Sequence, residues 1–440
     1  QFHDYVTTSL PALFKESYKN QTLDQSITTK DIDIATKSVK NGKCADIDQI
    51  SNEMVKCAFD ENKDLLREIF TIILNSGKFP KCWATGMIVP IHKKGPKSIE
   101  SNYRGLAISS TFGKVFLKII TKRINEYMTA NNKWSKNQNG FKEDCRTEDN
   151  MYILNTIFNT SLKENKPVYV AYVDFAKFFD TINREHLYYK LMKLGIGGNI
   201  LSVIKSMYDN ANYTIKIDNR LYGEIESKTG VKQGCCLSPL LSNLFQNDLA
   251  DIFRDDCKPI KLLDFWVNFI SWADDLVLMS ETKDGLQCCL DKLYSYCYKW
   301  GLAVNTDKTK CMKIDGNNKI CYDIFFYNNQ ELENVNDYTY LGFKINKNCK
   351  LTSVTDDRIA KAKRMLNVME KVVMVNGHAN LSIAMSIIDK QILPMMLYGA
   401  ALWSVPSKTK ICYIKGVENQ NKGTRQSVID ILHKIFNRNV

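Results

Sequence analysis

Two adjacent aspartates interrupt the otherwise apolar stretch NFISWADDLVLMS, which runs from Asn268 to Ser280. The β-branched and aromatic residues on both sides predict two short strands joined by a turn, with Asp274 and Asp275 at that turn. Two like charges held close together at a hairpin tip are unfavourable unless a positive charge lies between them. The stretch therefore predicts a β-hairpin whose tip binds a cation, and a metal ion is the simplest candidate.

A third aspartate ends a second predicted strand, which is the continuous apolar run PVYVAYVDF. If this strand and the hairpin lie in one sheet, the carboxylates of Asp174, Asp274 and Asp275 converge from the ends of neighbouring strands. Converging carboxylates bind hard divalent ions such as Mg²⁺, and two such ions support in-line displacement at phosphorus. The pattern favours polymerase or nuclease chemistry, although each aspartate taken singly is more often an ordinary turn or capping residue.

The overall charge favours an anionic partner. Lysine and arginine number 60 against 48 aspartates and glutamates, and the net charge of +12 makes nucleic acid the first candidate. A basic protein without a polyanionic partner is the alternative.

The sequence shows no sign of a membrane span, a signal peptide or a zinc motif. No run approaches the roughly 18 apolar residues that cross a bilayer, the first residues lack a signal-peptide pattern, and the 14 cysteines include no C-x-x-C pair. We therefore expect no membrane association, and free thiols in a reducing compartment rather than disulfides or structural zinc.

The chain is long enough for two or three lobes, and its pattern changes twice. Residues 1 to about 80 favour helices, of which one opens with threonines able to cap it and another stops at Gly77. Residues 166–345 contain most strand-like runs, together with a helix that Asn183 is placed to cap and a helix with Pro239 in its first turn. Beyond about 350 the pattern is helical again. Apolar residues recur along two of these helices: Leu65, Ile69, Ile72 and Ile73 in the first region, and Ile359, Ala362, Leu366 and Met369 in the last.

Nine ordered segments are similar to the motifs of one known family. They are KNGKCADIDQISNEMVK, GMIVPIHKKGPKSIESNYRGLAISSTFGKVFLKIITKRI, NQNGFKEDCRTEDNMYIL, VDFAKFFDTI, TGVKQGCCLSPLLSNLFQNDL, ISWADDLVLMS, GLAVNTDKTK, YTYLGFKI and YGAALW. Together they resemble the reverse transcriptase region of a non-long-terminal-repeat retrotransposon, a long interspersed element. In order, they correspond to the N-terminal extension, the fingers, the glycine-phenylalanine segment, two palm motifs, the [FY]-A-D-D hairpin, the lysine motif, the primer grip and a thumb segment. The resemblance extends over roughly residues 25 to 405.

The resemblance implies an α+β fold, a right-hand polymerase with fingers, a palm that contains an antiparallel sheet, and a helical thumb. We expect residues 1–165 to form the N-terminal extension and fingers, residues 166–345 the palm with part of the fingers, and residues 346–440 the thumb and the start of a following region. The implied activity is RNA-directed DNA polymerisation. Such an enzyme extends a primer 3′-hydroxyl on an RNA template with deoxynucleoside triphosphates and two Mg²⁺ ions, or Mn²⁺ ions in their place.

The resemblance also implies roles for individual residues. Asp174, Asp274 and Asp275 would hold the metal ions, assisted by the backbone carbonyl of Phe175. Lys308 corresponds to the family lysine that protonates the pyrophosphate leaving group, although a solvated lysine is the ordinary alternative. The candidate catalytic residues are therefore Asp174, Asp274, Asp275 and Lys308, and Phe175 joins the three aspartates as a candidate metal ligand.

Further residues correspond to family positions that bind the nucleotide and the primer. Lys93 and Arg104, in a polar basic loop after a strand, would contact the triphosphate. Gln233 would hydrogen-bond the incoming nucleotide, and the ring of Phe179 would exclude a 2′-hydroxyl. Without the motifs, surface cations, a tight turn and a core phenylalanine are equally good or better interpretations. The primer grip would be formed by Tyr340, Leu341 and Gly342.

Four positions depart from the family pattern. Trp272 replaces the usual phenylalanine or tyrosine of the hairpin and would affect the geometry at the primer end. Phe178 replaces a small residue and is expected to crowd the nucleotide pocket. Asp46 stands at a typical glycine and Gly105 at a typical proline, so the turn in the N-terminal extension and the stiffness of the basic loop are in question. None of these changes removes a metal ligand, so we expect activity.

In the family the primer is a nicked chromosomal strand, so the implied partners are template RNA, a DNA primer and target DNA. The chain starts at Gln1 and contains no recognisable endonuclease, and we expect that domain to lie outside this sequence. The family also implies a cytoplasmic ribonucleoprotein that acts in the nucleus during retrotransposition. Two alternatives stay open: a metal-dependent nuclease or phosphatase, and a catalytically inactive or domesticated copy that serves as an RNA-binding scaffold.

Overall fold

The structure is 50% helical and 20% strand. This mixture of helices and strands confirms the predicted α+β class. The predicted region after the thumb, and the last four residues of YGAALW, lie outside the residues that the structure describes. A computed structural model describes residues 2–16, 20–218, 220–253, 255–262, 265–316, 323–349, 352–375, 378–379 and 381–399.

Helices dominate both ends of the described chain. No helix in the described ranges is long and apolar enough to cross a membrane. Three short 3₁₀ helices, Glu100–Asn102, Asn247–Ile252 and Asp255–Cys257, and a π-helical turn, Ile388–Ile392, lie between them. The α-helices are α1 Phe2–Glu16, α2 Thr29–Ser38, α3 Asn52–Glu61, α4 Lys63–Ser76, α5 Lys81–Ala84, α6 Thr111–Ala130, α7 Thr147–Lys163, α8 Phe178–Thr181, α9 Arg184–Lys193, α10 Gly198–Asp209, α11 Ser238–Phe245, α12 Lys283–Trp300, α13 Thr352–Val373, α14 Leu381–Ile387 and α15 Leu393–Leu397.

Most strands belong to two sheets, and three small hairpins stand apart from them. The strands are β1 Gly86–His92, β2 Tyr103–Ser109, β3 Val168–Asp174, β4 Asn212–Ile217, β5 Arg220–Glu226, β6 Ile260–Leu262, β7 Phe265–Val267, β8 Phe269–Trp272, β9 Asp275–Ser280, β10 Lys310–Ile314, β11 Phe325–Tyr327, β12 Gln330–Asn334, β13 Asp337–Tyr340, β14 Phe343–Asn346, β15 Met374–Val375 and β16 His378–Ala379.

The larger sheet has six strands in the order β11-β12-β10-β3-β9-β8. β3 lies inside it and runs antiparallel to both β9 and β10, as predicted, whereas β10 and β12 pair in parallel. Helices α9, α11 and α12 cover one face, and helix α7 with the β13–β14 hairpin covers the other. Because both faces of β3 are buried, its sequence is apolar at every position before Asp174. Alternate residues enter the two cores: Tyr169, Ala171 and Val173 in the first, and Val168, Val170 and Tyr172 in the second.

The second sheet has four strands in the order β2-β1-β4-β5. β1 and β2 precede β3 in the chain, and β4 and β5 follow it. In it, Arg104 pairs with Ile91 and Gly105 pairs with Pro90. The prediction that Arg104 and Gly105 lie in a loop was therefore wrong. β2 is an edge strand, and its first residues are polar because they are little buried. The sequence there does not resemble a strand, and the pairing with β1 determines its conformation. The predicted domain boundaries remain a prediction.

Several helix ends are where the sequence placed them. Thr28 Oγ1 accepts a hydrogen bond from the N–H of Asp31, and Asn183 Oδ1 accepts one from the N–H of His186, so each caps its helix. Pro239 lies in the first turn of α11, and α4 ends at Gly77. The capping signals therefore predicted these boundaries correctly.

The recurring apolar residues noted in the sequence of α4 are not the ones that this helix buries, except for Ile73. Leu66, Phe70, Ile73 and Leu74 are the buried residues of this helix. The sequence LLREIFTIIL contains two neighbouring apolar stripes, and both satisfy helical periodicity, so packing against α10 and α2 decides which one is buried. The other stripe is exposed: Leu65, Ile69 and Ile72.

Candidate active site

The β8–β9 hairpin places two aspartates beside the end of β3. Trp272 pairs with Asp275 across the hairpin, and the turn between them contains Ala273 at a φ of +57°. β9 pairs with β3 in a register that sets Asp275 opposite Asp174. The predicted convergence is therefore observed, because two of the three carboxylates occupy facing positions on neighbouring strands and Asp274 lies at the adjoining turn.

Two of the three carboxylates have pKa values above their ordinary range. Burial raises the pKa of Asp274, and the charge of Asp174 raises it further, while Arg104 opposes both. Burial, followed by the charges of Asp274 and Asp174, raises the pKa of Asp275 to about 6. Cation binding would relieve this repulsion, so the cluster is an electrostatically favourable place for a positive ion.

The segment after α12 runs beside Asp174. Asn305 N donates to Asp174 O at 2.7 Å, and Asp174 N donates to Thr309 Oγ1 at 3.2 Å. Lys308 Nζ lies 3.4 Å from Asp174 Oδ2, and 68% of its side chain is exposed. The structure therefore brings Lys308 to the carboxylate cluster, while its role as a proton donor remains a prediction.

Three phenylalanines follow Asp174 and lie in different surroundings. Phe175 is buried, and its backbone forms a bridge to Val304. Phe178 is 2% exposed and packs on Phe175 with 5.5 Å between the ring centroids. It belongs to the core, so the expectation that it crowds the nucleotide pocket was wrong. Phe179 is half-buried beside it, because the short helix α8 directs consecutive side chains to different sides.

Residues 230–234 lie against α8. Val231 N donates to Phe179 O at 2.8 Å, and Gln233 Nε2 donates to Asp180 Oδ1 at 2.7 Å. Gln233 O accepts a hydrogen bond from Ala107 N at 2.8 Å. At Gly234, with a φ of +103°, a Cβ atom would lie 2.8 Å from Ala107 O, so this close approach requires glycine. The structure thus holds Gln233 beside Phe179, and its contact with a nucleotide remains a prediction.

The β1–β2 hairpin presents the two cations that the sequence assigned to a triphosphate. Lys93 follows β1, is exposed, and donates its backbone N–H to Asn102 O at 2.8 Å. Arg104 on β2 is also exposed, and its charge lowers the pKa of Asp274. Arg104 is therefore near enough to act on the charge of Asp274, and Lys93 follows the other strand of the same hairpin.

Sequence reasoning missed the residue that holds the turn of the aspartate hairpin. Gln138 is 3% exposed, and its Oε1 accepts hydrogen bonds from Ala273 N at 3.0 Å and Gly140 N at 2.8 Å. Its Nε2 donates to Ala273 O at 3.0 Å. A Cβ atom on Gly140 would overlap the backbone nitrogen of Ala273, so the contact requires glycine. The signal in the sequence is NQNG, in which amide side chains able to donate and accept precede a glycine.

The same segment extends along β8 towards the predicted primer grip. Ser271 N donates to Asn137 O at 2.8 Å, and Asn139 N donates to Ser271 O at 3.0 Å. Asn139 Nδ2 donates to Asn150 Oδ1 at 2.6 Å. Asn150 in turn donates to Ser271 O and to the hydroxyl of Tyr340, both at 3.1 Å. A buried amide network therefore connects the aspartate hairpin with Tyr340.

The predicted primer grip is the tip of the β13–β14 hairpin. Tyr340 is buried, and Leu341 and Gly342 form the turn with φ values of +46° and +76°. Arg358 Nη2 donates to Gly342 O at 2.7 Å, and the Tyr398 hydroxyl donates to Leu341 O at 2.8 Å. The turn is thus fixed between the large sheet and the helices after 350, while its contact with a primer remains a prediction.

Asp46, which stands where the family typically has glycine, forms hydrogen bonds that stabilise the turn in the N-terminal extension. It is 1% exposed, and its Oδ2 accepts a hydrogen bond at 2.6 Å from Thr111 N, at the start of α6. Its Oδ1 accepts another from Asp48 N at 2.9 Å. The carboxylate therefore stabilises both its own turn and the N-terminus of α6, which a glycine could not do.

Carboxylates that converge from the ends of neighbouring strands can hold the divalent metal ions that polymerases, nucleases and phosphatases use for in-line displacement at phosphorus. A family model described as Reverse transcriptase (RNA-dependent DNA polymerase) matches residues 91–345, more than half of the chain. The chain therefore belongs to the reverse transcriptase family.

Proteins of mobile elements are among its relatives, in agreement with the resemblance seen in the sequence. The "Probable RNA-directed DNA polymerase from transposon BS" of Drosophila melanogaster is 24% identical over 409 residues, which are 90% of this chain and 44% of that protein. The polyprotein of the type-2 retrotransposable element R2DM, from the same species, is 27% identical over 60% of this chain and 24% of its own length. The chain thus spans less than half the length of these relatives. Among solved structures, apo telomerase from Candida tropicalis, truncated from the C-terminal domain, aligns with 15% identity and a TM-score of 0.44 over 69% of this chain and 68% of that one.

Proposed function

We propose that this chain is the polymerase part of a retrotransposon protein and extends a primer 3′-hydroxyl on an RNA template with deoxynucleotides. The observation that carries the proposal is the register of β3 and β9, which sets Asp174 opposite Asp275 with Asp274 at the adjoining turn. Membership of the reverse transcriptase family and the mobile-element relatives favour a polymerase over a nuclease or phosphatase with similar carboxylates.

The carboxylate cluster fits the divalent metal ions that the family uses. Burial, followed by the charges of the neighbouring aspartates, raises the pKa values of Asp274 and Asp275, and a bound cation would oppose both effects. We infer that Asp174, Asp274 and Asp275, with the carbonyl of Phe175, hold two Mg²⁺ ions or Mn²⁺ in their place. Such ions activate the attacking hydroxyl and stabilise the leaving oxygen. The pairing of β3 with β9 holds these oxygen atoms together at the ends of the two strands before any metal ion binds.

Phe179 and Gln233 form one wall of the proposed nucleotide site. Gln233 is oriented by its hydrogen bond to Asp180, and the 230–234 segment packs on the backbone of Phe179. A half-buried phenylalanine supported in this way has little freedom to move aside for a 2′-hydroxyl. We therefore propose that Phe179 selects deoxynucleotides and that Gln233 fixes the nucleotide against it.

Three cations surround the proposed path of the triphosphate. The charge of Arg104 lowers the pKa of Asp274, and Lys93 follows the other strand of the same hairpin. Their positive charge would stabilise the negative charge that develops on the phosphates as pyrophosphate leaves. Lys308 holds its ammonium group 3.4 Å from Asp174, on a mostly exposed side chain that can turn towards the leaving group and donate a proton.

The remaining partners are proposed from the family and from charge. Template RNA and a DNA primer annealed to target DNA would bind a chain with a net charge of +12, and the turn at Tyr340, Leu341 and Gly342 would lie beneath the primer end. The endonuclease that nicks the target would belong to sequence outside this chain. We propose that the protein forms a cytoplasmic ribonucleoprotein and acts in the nucleus.

Primer extension on an annealed RNA template, with Mg²⁺ and deoxynucleotides, tests this function. We expect extension by the chain as given and none by Asp274→Asn, with RNA binding unchanged. Asp64→Asn is the matched control, because Asp64 lies on α4 with 85% of its side chain exposed. It should retain full extension.

Three results would contradict the proposal. Full extension by Asp274→Asn would refute the assignment of the carboxylate cluster. Degradation of the primer or template in place of extension would favour the nuclease alternative. If neither protein extends the primer while both bind RNA, the scaffold alternative would replace the polymerase.

A further inference from the structure

A second cluster of potential metal ligands lies at the opposite end of the aspartate hairpin. Ser280, the last residue of β9, donates its hydroxyl to Cys257 O at 2.9 Å. Cys257 and Asp256 end the 3₁₀ helix before the hairpin, and Cys288 lies on α12 after it. One ligand atom from each of these three residues lies within 4.8 Å of the others. We call Asp256, Cys257 and Cys288 the thiol cluster.

The distance between the two sulfur atoms is suited to a shared metal ion. Cys257 Sγ and Cys288 Sγ are 3.4 Å apart. Two thiolates bound to tetrahedral Zn²⁺, each with a Zn–S bond of about 2.3 Å, are roughly 3.8 Å apart. A disulfide requires about 2.05 Å. The sulfur atoms therefore need to separate by only about 0.4 Å to bind Zn²⁺, whereas a disulfide requires a larger movement.

We propose that Asp256, Cys257 and Cys288 bind one Zn²⁺ ion, with water as the fourth ligand on the exposed side of Asp256. Thiolate ligands select Zn²⁺ over the hard ions that suit carboxylates, so this site and the aspartate hairpin would bind different metals. The sequence favoured free thiols because it contains no C-x-x-C pair and its five histidines are scattered, and nothing in it indicates that Cys257 and Cys288, 31 residues apart, come together. The fold brings them together by returning the chain through the hairpin to α12.

Neighbouring groups supply the outer contacts that such a site needs. Lys292 Nζ donates to Asp256 Oδ1 at 2.6 Å, which leaves Oδ2 for the ion. Two thiolates and one carboxylate around Zn²⁺ carry a net charge of −1, and the Lys292 ammonium balances it. Outer hydrogen bonds of this kind orient and stabilise metal ligands.

The proposed ion would join the two ends of the segment that carries Asp274. Cys257 and Cys288 enclose β6 to β9, which include the whole aspartate hairpin. A Cβ atom on Gly285 would lie 2.7 Å from Cys257 O, so the first turn of α12 already packs closely against the 3₁₀ helix. Zn²⁺ would lock this junction and hold the base of the hairpin in place. The site is independent of the proposed polymerase activity.

Metal binding by the reduced full-length chain tests the proposal. The Asp274→Asn variant is used as background, so that the carboxylate cluster contributes less to the binding measured. We expect one Zn²⁺ per chain, and Co²⁺ in its place should give a thiolate-to-cobalt charge-transfer band. Cys288→Ser should lower Zn²⁺ affinity by more than about 100-fold, because even outer contacts contribute about 10–100-fold. Cys82→Ser, at an exposed thiol outside the cluster, is the matched control and should leave Zn²⁺ affinity unchanged.

Further readouts keep the test decisive if Cys288→Ser does not fold. Lys292→Met keeps all three ligands and should lower Zn²⁺ affinity about 10–100-fold. Absence of the charge-transfer band in the background protein would overturn the proposal, as would unchanged affinity in Lys292→Met or in a folded Cys288→Ser. A Cys257–Cys288 disulfide, found by mass spectrometry in a protein that binds no Zn²⁺ after reduction, would identify a redox pair and refute the metal site.

Discussion

Replacement of Gln138 by methionine should loosen the turn that carries Asp274 without touching any carboxylate. Methionine has a similar length and shape, so the buried site stays filled. The change removes the three hydrogen bonds from the Gln138 side chain to the backbone of Ala273 and Gly140. The effect therefore reports on the hydrogen bonds alone.

The magnitude follows from the groups that lose their partner. Two backbone N–H groups and one carbonyl would be left unpaired beside a side chain that is 3% exposed. Each such group costs about 1–3 kcal/mol, and the lower value for each predicts that the free energy of local opening falls by about 3 kcal/mol. That change corresponds to a factor of about 160 in the opening equilibrium. A displacement of the aspartates by about 1 Å would also slow primer extension by roughly 100-fold.

Amide hydrogen exchange and primer extension measure these two effects. Peptides that cover 137–140 and 269–276 should exchange about 100-fold faster in Gln138→Met, while peptides from α6 should not change. Gln287→Met is a suitable control, because Gln287 also hydrogen-bonds a backbone carbonyl, that of Phe326, at an exposed position. Unchanged exchange and unchanged extension in Gln138→Met would refute the idea that this glutamine holds the turn.

Other substitutions test the remaining assignments. Asp275→Asn should abolish extension and raise the free energy of unfolding of the metal-free protein. The pKa of Asp275 is about 6 in the fold against an ordinary 3.8, so its ionisation destabilises the fold fully above pH 6, progressively less between pH 6 and 4, and not at all at lower pH. Because solvent still reaches the partly buried Asp275 side chain and screens its charge, we expect a gain of about 1 kcal/mol at pH 7 that disappears at pH 4, measured by urea unfolding in a chelator. Phe179→Ala should admit ribonucleotides in single-nucleotide incorporation assays, whereas Phe178→Ala should lower the free energy of unfolding by about 3–5 kcal/mol with unchanged sugar discrimination in the folded fraction. Asp46→Ala should lower the unfolding temperature, because loss of its hydrogen bond to Thr111 costs about 1–2 kcal/mol; an unchanged transition in a thermal melt would contradict this cap.

The proposed function implies a conflict between stability and activity at the aspartate hairpin. Asp275 lies opposite Asp174 on the neighbouring strand, and its raised pKa indicates that its ionised form opposes folding. Substitution of such residues commonly stabilises a protein while it removes activity. The Gln138 hydrogen bonds offset part of this repulsion, since they hold the turn in one conformation whether or not a cation is bound.

Local signals were sufficient for much of the fold. The apolar run before Asp174 predicted β3, the β-branched residues around Asp274 predicted the hairpin, and Thr28 and Asn183 predicted helix starts. These succeeded because strand burial, turn formation and capping depend on residues close together in sequence. The motifs also predicted the reverse transcriptase family, which the matching family model confirms.

Other features depend on which distant segments meet. Two apolar stripes on α4 satisfy the same periodicity, and only packing against other helices decides that Phe70 is buried and Ile69 is not. Pairing with β1 turns the polar stretch around Arg104 into a strand.

By itself, the sequence determined the class of fold, the aspartates and their hairpin, because periodicity and turn chemistry are local. Only the tertiary structure decided that Gln138 holds the turn beside Asp274, and that the sulfur atoms of Cys257 and Cys288 lie 3.4 Å apart. The physical reason is that side-chain hydrogen bonds and metal ligation require groups within a few ångströms. Sequence spacing does not determine that proximity, and the fold creates it.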